Sequence, residues 1–562
     1  MRVAPWALSL ISAALLAAAP RPDFDPVVFE EVAAQRGLRF VTHSGRTARK
    51  HQPETMVSGV ALLDYDDDGW LDVYVVNGGV LPRAEKAGPE HWNRLFRNDG
   101  RGHFRDVTER AGVAGRGYDL GVAAADYDND GRTDIFVAGL RRNTLFHNSG
   151  DGTFRDVTEA AGLARPDPKY GTLWSVAAAF LDYDRDGRLD LFVSNYCVWD
   201  PAREPLCGNP AAPDYCHPRQ YEGLPSSLFH NEGDGTFTDV SAPSGIRAHV
   251  GKGMGIGVAD FDDDGFPDIF VSNDTTPSFL FLNNRNGTFT ESAFERAVAF
   301  GERAEAVSGM GADAGDVDND GRPDIFQTAL ANESFPLFKN LGGASFEDVT
   351  TRSGVGTASR PRSGWGNGIV DLNNDGWKDL FVACADVMDP AGAFRERVPM
   401  ANAVLVNLKN GRFADGSAGA GQAFARKAVH RGAAFGDVDN DGRLDVVTTA
   451  LDGPLALWRN VSPGPHHWLL LRLVGTRSNA DGMGARVKVV TASGARYGHA
   501  NTAVGYGGAS DRRLHFGLGA EAMVSELTVT WPSGRVQTLK DVRADQVLTV
   551  REPGPSPISA SP

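Results

Sequence analysis

Apolar residues fall along most of this chain in short runs separated by small polar loops, without the spacing of three and four that an amphipathic helix needs. Runs such as GVAAAD (121–126), GIGVAD (255–260) and GAAFGD (432–437) enter a loop, and IFVAG (135–139), LFVSN (191–195), DIFVS (268–272) and DVVTT (445–449) leave it. β-Branched and aromatic residues in runs this short suit buried strands, so each loop joins two strands as a hairpin. A second couplet follows, as in LFRNDGRGHFRDVTERAGV (95–113), LFHNSGDGTFRDVTEAAGL (145–163) and LFHNEGDGTFTDV (228–240). Its Asn/Gly/Asp cluster between apolar runs marks another hairpin. Each repeat is therefore four strands, and successive loops start 62, 56, 78, 56, 55 and 66 residues apart. Four antiparallel strands recurring at such a period predict a β-propeller blade.

Seven loops predict seven blades, yet the last repeat stops at LWRN (457–460) without a fourth strand. FEEVAAQRGL (29–38) aligns with the fourth-strand segment FRDVTERAGV (104–113). The N-terminal strand is thus expected to complete the seventh blade and close a ring spanning 25–460, leaving no open sheet edge. The expected fold is all-β: a seven-bladed propeller followed by a small β-sandwich-like domain.

Each loop carries concentrated negative charge. DYDNDGRTD places Asp126, Asp128, Asp130 and Asp134 at positions 1, 3, 5 and 9, with glycine at 6. The pattern recurs as Asp64, Asp66, Asp68 and Asp72; as Asp182, Asp184, Asp186 and Asp190; and as Asp260, Asp262, Asp264 and Asp268. It returns as Asp316, Asp318, Asp320 and Asp324; as Asp371, Asn373, Asp375 and Asp379; and as Asp437, Asp439, Asp441 and Asp445. Calcium takes about 6 to 8 oxygen ligands and accepts carboxylates and carbonyls together, so up to seven calcium ions are expected. An EF-hand is disfavoured, because position 9 is Asp and the flanks are strands rather than helices.

These repeats resemble the FG-GAP (VCBS) blades of integrin α-subunit propellers. The segments HHWLLLRLVGTRSNADGMGARVKVV (466–490), GYGGASDRRLHFGLG (505–519) and LTVTWPSGRVQTL (527–539) resemble the ASPIC/UnbV domain of cartilage-acidic-protein-like proteins, here expected over 461–552. The resemblance implies secreted or surface calcium-binding proteins, mostly without a settled biochemical activity.

Composition locates the charge and the compartment. Setting aside the 29 loop aspartates turns the formal −16 into +13, and seven dications would return the whole to about −2. The acidity sits where metal would neutralise it. MRVAPWALSLISAALLAAAP reads as a secretory signal over 1–19, interrupted by Pro5 and short of the roughly 20 residues of a spanning helix. The Pro/Ser-rich stretch 553–562 reads as a flexible tail. Of four cysteines, Cys207 and Cys216 lie close together in a Pro-rich insertion and suit a disulfide, while Cys197 and Cys384 end strands of different blades. A zinc site from Cys207, Cys216 and His217 fits no common zinc spacing.

The loops that link blades fall at the end of a propeller opposite the aspartate loops, and all are basic: 43–52, 114–119, 165–170, 247–252, 300–305, 360–365 and 426–431. If Arg46, Lys252, Arg362 and Arg431 converge there, they focus positive potential over the channel mouth; the alternative is seven solvated loops. Insertions after Asn77, Asn195 and Ala383 would wall the same face. No nucleophile elbow or zinc-protease helix occurs, and no catalytic residue is assigned. Scattered basic residues and export disfavour nucleic acid. The expected function is a secreted, monomeric, non-catalytic binding module for an extracellular glycan or protein, without a membrane span once the signal is removed. The alternatives are a polysaccharide lyase or hydrolase and, from the family's name, an accessory protein of a biosynthetic cluster.

Overall fold

The runs flanking each aspartate loop pair as the first two strands of an antiparallel sheet. In the computed structural model, which describes residues 24–387 and 398–554, blade 1 comprises Val60–Leu63, Asp72–Val75, Arg94–Asn98 and Phe104–Asp106. The innermost strands of the next blades are Tyr118–Ala125, Ser175–Leu181, Gly253–Ala259, Ala312–Gly315, Gly364–Val370 and His430–Gly436. Each packs on its successor, and the last packs on the first, so the ring closes. Glycine stands where these strands converge: a Cβ on Gly121, Gly255, Gly366 or Gly432 would collide with the backbone of the following blade. The expected signal 1–19, most of the expected tail and residues 388–397 of the blade 6 insertion lie outside the described residues.

The fourth strand of the seventh sheet is Phe29–Glu31, antiparallel to Ala456–Asn460 with Phe29 opposite Asn460. Phe29 is buried, stacked on Phe424 at 5.5 Å between ring centres and edge-on to Phe381 at 6.4 Å.

The C-terminal region forms two facing sheets. His467–Val474 lies between Leu514–Gly519 and Gln546–Arg551; the other sheet orders Gly494–His499, Arg486–Thr491, Met523–Thr530 and Val536–Arg543. Leu469, Leu471, Val487, Val489, Phe516, Leu527, Val529 and Trp531 fill the space between them. One hairpin, Ala503–Val504 and Gly508–Ala509, leaves this sandwich and enters the propeller channel, where Ala509 pairs in parallel with Ala61 of blade 1. Gly505 accepts from Ala312 N (3.2 Å) and Gly507 from Val122 N (3.0 Å). Tyr506, at the tip and fully buried, donates to Met56 O (3.1 Å) and sets its ring against Trp365. Ala503, Val504, Tyr506 and Ala509 of this hairpin each join one of the propeller's hydrophobic clusters.

Candidate metal centres

All seven aspartate loops share one backbone framework. Glycine at position 6 has φ of 86 to 92°, and position 4 is also left-handed, at 54 to 63°. The position 1 aspartate accepts from the position 6 glycine N–H at 2.7–3.2 Å. The position 9 aspartate is held twice. One oxygen accepts from the position 2 N–H at 2.9–3.3 Å. The other accepts, at 2.7–2.9 Å, from the N–H of an asparagine that ends the third strand: Asn98, Asn148, Asn231, Asn283, Asn340, Asn407 or Asn460.

That asparagine is the functional residue the sequence reading missed, although the LFxN-like repeat displays it in every blade. Its amide donates to the position 2 carbonyl of the preceding blade's loop at 2.7–2.9 Å, so each loop is stitched to its neighbour around the ring. A second stitch runs the other way from position 4: Asn129, Asn319, Asn374 and Asn440 donate to the position 6 glycine carbonyl of the next blade at 2.9–3.1 Å.

The carboxylates fit a cation. Among the described residues, buried oxygens Asp66 Oδ1, Asp182 Oδ1, Asp318 Oδ1 and Asp439 Oδ1 accept no hydrogen bond. Asp64, Asp66 and Asp68, like Asp126, Asp128 and Asp130, bring one oxygen each within 4.8 Å of one another. Burial, aided by neighbouring carboxylates, pushes Asp126 up to about 8 and Asp182 and Asp371 up to about 7. A group of buried oxygens at which ionisation is this costly needs positive charge. Some is supplied by protein: Arg97 lies 2.5 Å from Asp66 and Arg459 2.9 Å from Asp439, and Lys339 pairs with Asp318. Asn373 turns its amide toward the Asp375 carboxylate at 3.3 Å, and Lys409 lies 3.2 Å from the same group.

The sandwich sits on this rim, largely through position 4. Asp67 pairs with Arg472 (2.5 Å), Asn129 accepts from Ala480 N (2.7 Å), and Arg185 donates to Pro532 O (2.6 Å). Asp263 pairs with Arg486, Asn374 O accepts from Gly519 N (2.8 Å), and Asn440 accepts from Arg513 (2.8 Å). In blades 1 and 4, where position 4 is aspartate, the residue bonds the sandwich, and Arg185 of blade 3 bonds the sandwich while its guanidinium lies over Phe266 of the next loop, 4.9 Å from the ring centre.

At the linker end, the four expected ligand residues do not form one exposed ring. Arg431 is fully buried, its guanidinium 3.8 Å from the centre of the Trp365 ring and donating to Thr55 O (2.8 Å). Lys252 is 7% exposed, buried beside the Tyr196–Asp274 hydrogen bond. Arg362 turns outward to Asp415 (2.7 Å), and Arg46 alone stays largely exposed. Arg431 and Lys252 adjoin the first residues of inner strands, where the chain has already turned inward. Cys207 and Cys216 form a disulfide rather than zinc ligands, and Cys197 and Cys384 are free and buried. The blade 3 insertion that carries the disulfide is bolted to the first linker: Glu204 accepts from Gln52 N (2.8 Å), Trp199 Nε1 (2.9 Å) and Tyr221 OH (3.0 Å), and Glu54 from Tyr215 OH (2.9 Å).

A ring of four-stranded blades with an acidic loop in each, capped by a β-sandwich, defines a class: propellers built from aspartate-loop repeats. The chain belongs to the FG-GAP-like repeat family, whose model matches residues 64–137, 126–193, 225–271, 260–327 and 371–448, and residues 475–557 match the ASPIC and UnbV domain. It is 26% identical to cartilage acidic protein 1 of Mus musculus over 519 residues, 89% of this chain and 74% of that protein. It is 25% identical to cartilage acidic protein 1 of Homo sapiens over 520 residues, 89% and 72%. Among solved structures, an Agrocybe aegerita lectin that recognises non-reducing terminal N-acetylglucosamine aligns at TM-score 0.39 and 17% identity, over 71% of this chain and 87% of that one. At that TM-score the likeness adds nothing to the fold described above.

Proposed function

We propose that the protein is an extracellular calcium-binding propeller that acts without catalysis, presenting its linker end to an anionic glycan. One observation carries this reading: the sandwich sits on the aspartate rim and its hairpin enters the channel from that side, so the linker end is the free end of the ring. The linkers there still carry exposed Arg46, Arg116, Lys169, Arg303, Arg360 and Lys427, although Lys252 and Arg431 are withdrawn. The rim's orphaned carboxylate oxygens support calcium. The Cys207–Cys216 disulfide supports an oxidising compartment, and among the described residues no helix is long and apolar enough to cross a membrane.

An array of sulfated and uronate glycans, probed in calcium, tests this directly. Replacing the six exposed residues together with serine is expected to weaken retention at least tenfold and flatten its salt dependence, with the melting temperature unchanged. Equal retention by the variant, or binding to protein ligands alone, would count against it.

A further inference from the structure

In blades 1, 2, 3, 5 and 7 the residue just before the latching asparagine lies against an aspartate of its own loop, and across the seven blades it changes character. It is Arg97, Lys339 and Arg459 in blades 1, 5 and 7, Leu282 and Val406 in blades 4 and 6, and His147 and His230 in blades 2 and 3. We propose that blades 2 and 3 hold a first-row transition-metal dication rather than calcium, with His147 and His230 as ligands. This rests on reading the rim as metal sites and goes further in assigning the ion.

Geometry separates the imidazoles from the cationic side chains that share their position. Arg97 and Arg459 make aligned hydrogen bonds to Asp66 and Asp439. His230 Nδ1 lies 3.2 Å from Asp190 Oδ1 and 3.5 Å from Asp184 Oδ2, yet this buried nitrogen is aligned with neither. His147 Nδ1 repeats the arrangement, 3.2 Å from Asp128 Oδ2 and 3.4 Å from Asp134 Oδ1, again aligned with neither. A nitrogen aimed between two carboxylates points where a shared ion would sit. Ligands about 2.1 Å from a metal lie roughly 3.0 Å apart at octahedral angles and about 3.4 Å apart at tetrahedral ones, close to the observed 3.2–3.5 Å.

Blade 3 adds an independent sign. Asp182 is 4% exposed, and its Oδ1 accepts no hydrogen bond among the described residues, while oxygens of Asp182, Asp184 and Asp190 lie within 4.8 Å of one another. Its counterparts in the other six loops accept the position 5 N–H on this oxygen. An imidazole with carboxylates suits zinc, cobalt, nickel or iron, whereas oxygen-only loops suit calcium.

The test uses the full chain, stripped with chelator and dialysed against excess calcium with limiting Zn2+, followed by elemental analysis. Wild type is expected to retain two zinc ions per chain beside its calcium, and Co2+ in place of zinc should give visible absorption bands perturbed by imidazole. His147→Leu with His230→Leu, which copies the solution of blade 4, should retain no zinc while still binding calcium. Should that variant misfold, Leu282→His in the wild-type background provides a gain-of-site test and should raise the zinc count from two to three. Calcium without zinc in wild type, or zinc unchanged in the double variant, overturns the proposal and leaves the rim reading intact. A stripped chain that binds neither ion defeats the rim reading itself.

Discussion

Asn231 shows how much of this architecture hangs on single side chains. Its N–H holds Asp190, and its amide holds both Leu189 O of its own loop and Tyr127 O of the loop before (2.9 and 2.8 Å). Asn231→Ala would leave two buried carbonyls without donors, at about 1–3 kcal/mol each. Urea denaturation is therefore expected to show a loss of about 2–5 kcal/mol, against less than about 0.5 for Asn284→Ala at an exposed turn. Equal losses would mean that the latch contributes nothing. The loop chemistry was legible in the sequence because nine consecutive residues contain it. The asparagine stands a strand away, and as a polar residue before a turn it looked like hairpin punctuation. His147 and His230 were hidden for a similar reason, since only pairing with the second strand brings the residue before that asparagine over the loop.

Among elements, the short strand Phe29–Glu31 closes the ring with three residues. Phe29 anchors this strand against the rings of Phe381 and Phe424. Phe29→Ala is expected to cost about 3–5 kcal/mol, and deleting residues 20–38 to expose the edge of Ala456–Asn460 and cause association visible by light scattering. A truncated chain that stays monomeric and equally stable would show that closure lies elsewhere. This strand was legible because it repeats a segment found in other blades. The Ala503–Ala509 hairpin was not: its strands are two residues each, its Gly-Tyr-Gly-Gly tip has no periodicity, and its partners are hundreds of residues away. Burial of Lys252 and Arg431 was equally hidden, because a basic linker does not reveal which of its residues has already entered the first strand.

Over the whole molecule, rim, latch and sandwich meet at the same loops, so metal should bind blade to blade and propeller to sandwich. At roughly 1 mM calcium and a Kd of about 10⁻⁴ M, each site stabilises the fold by about 1.4 kcal/mol. Five to seven such sites contribute on the order of 10 kcal/mol, comparable with the roughly 5–15 kcal/mol of a typical domain. The loop containing Asn373, with one carboxylate fewer and Lys409 against Asp375, should empty first as calcium is withdrawn. The most direct measurement is scanning calorimetry of the full chain in millimolar calcium and again after chelation. A single transition in calcium, falling by about 10 °C or more on chelation and restored by added calcium, is the expected result. A transition that chelation does not move would contradict a structural role for metal at the rim.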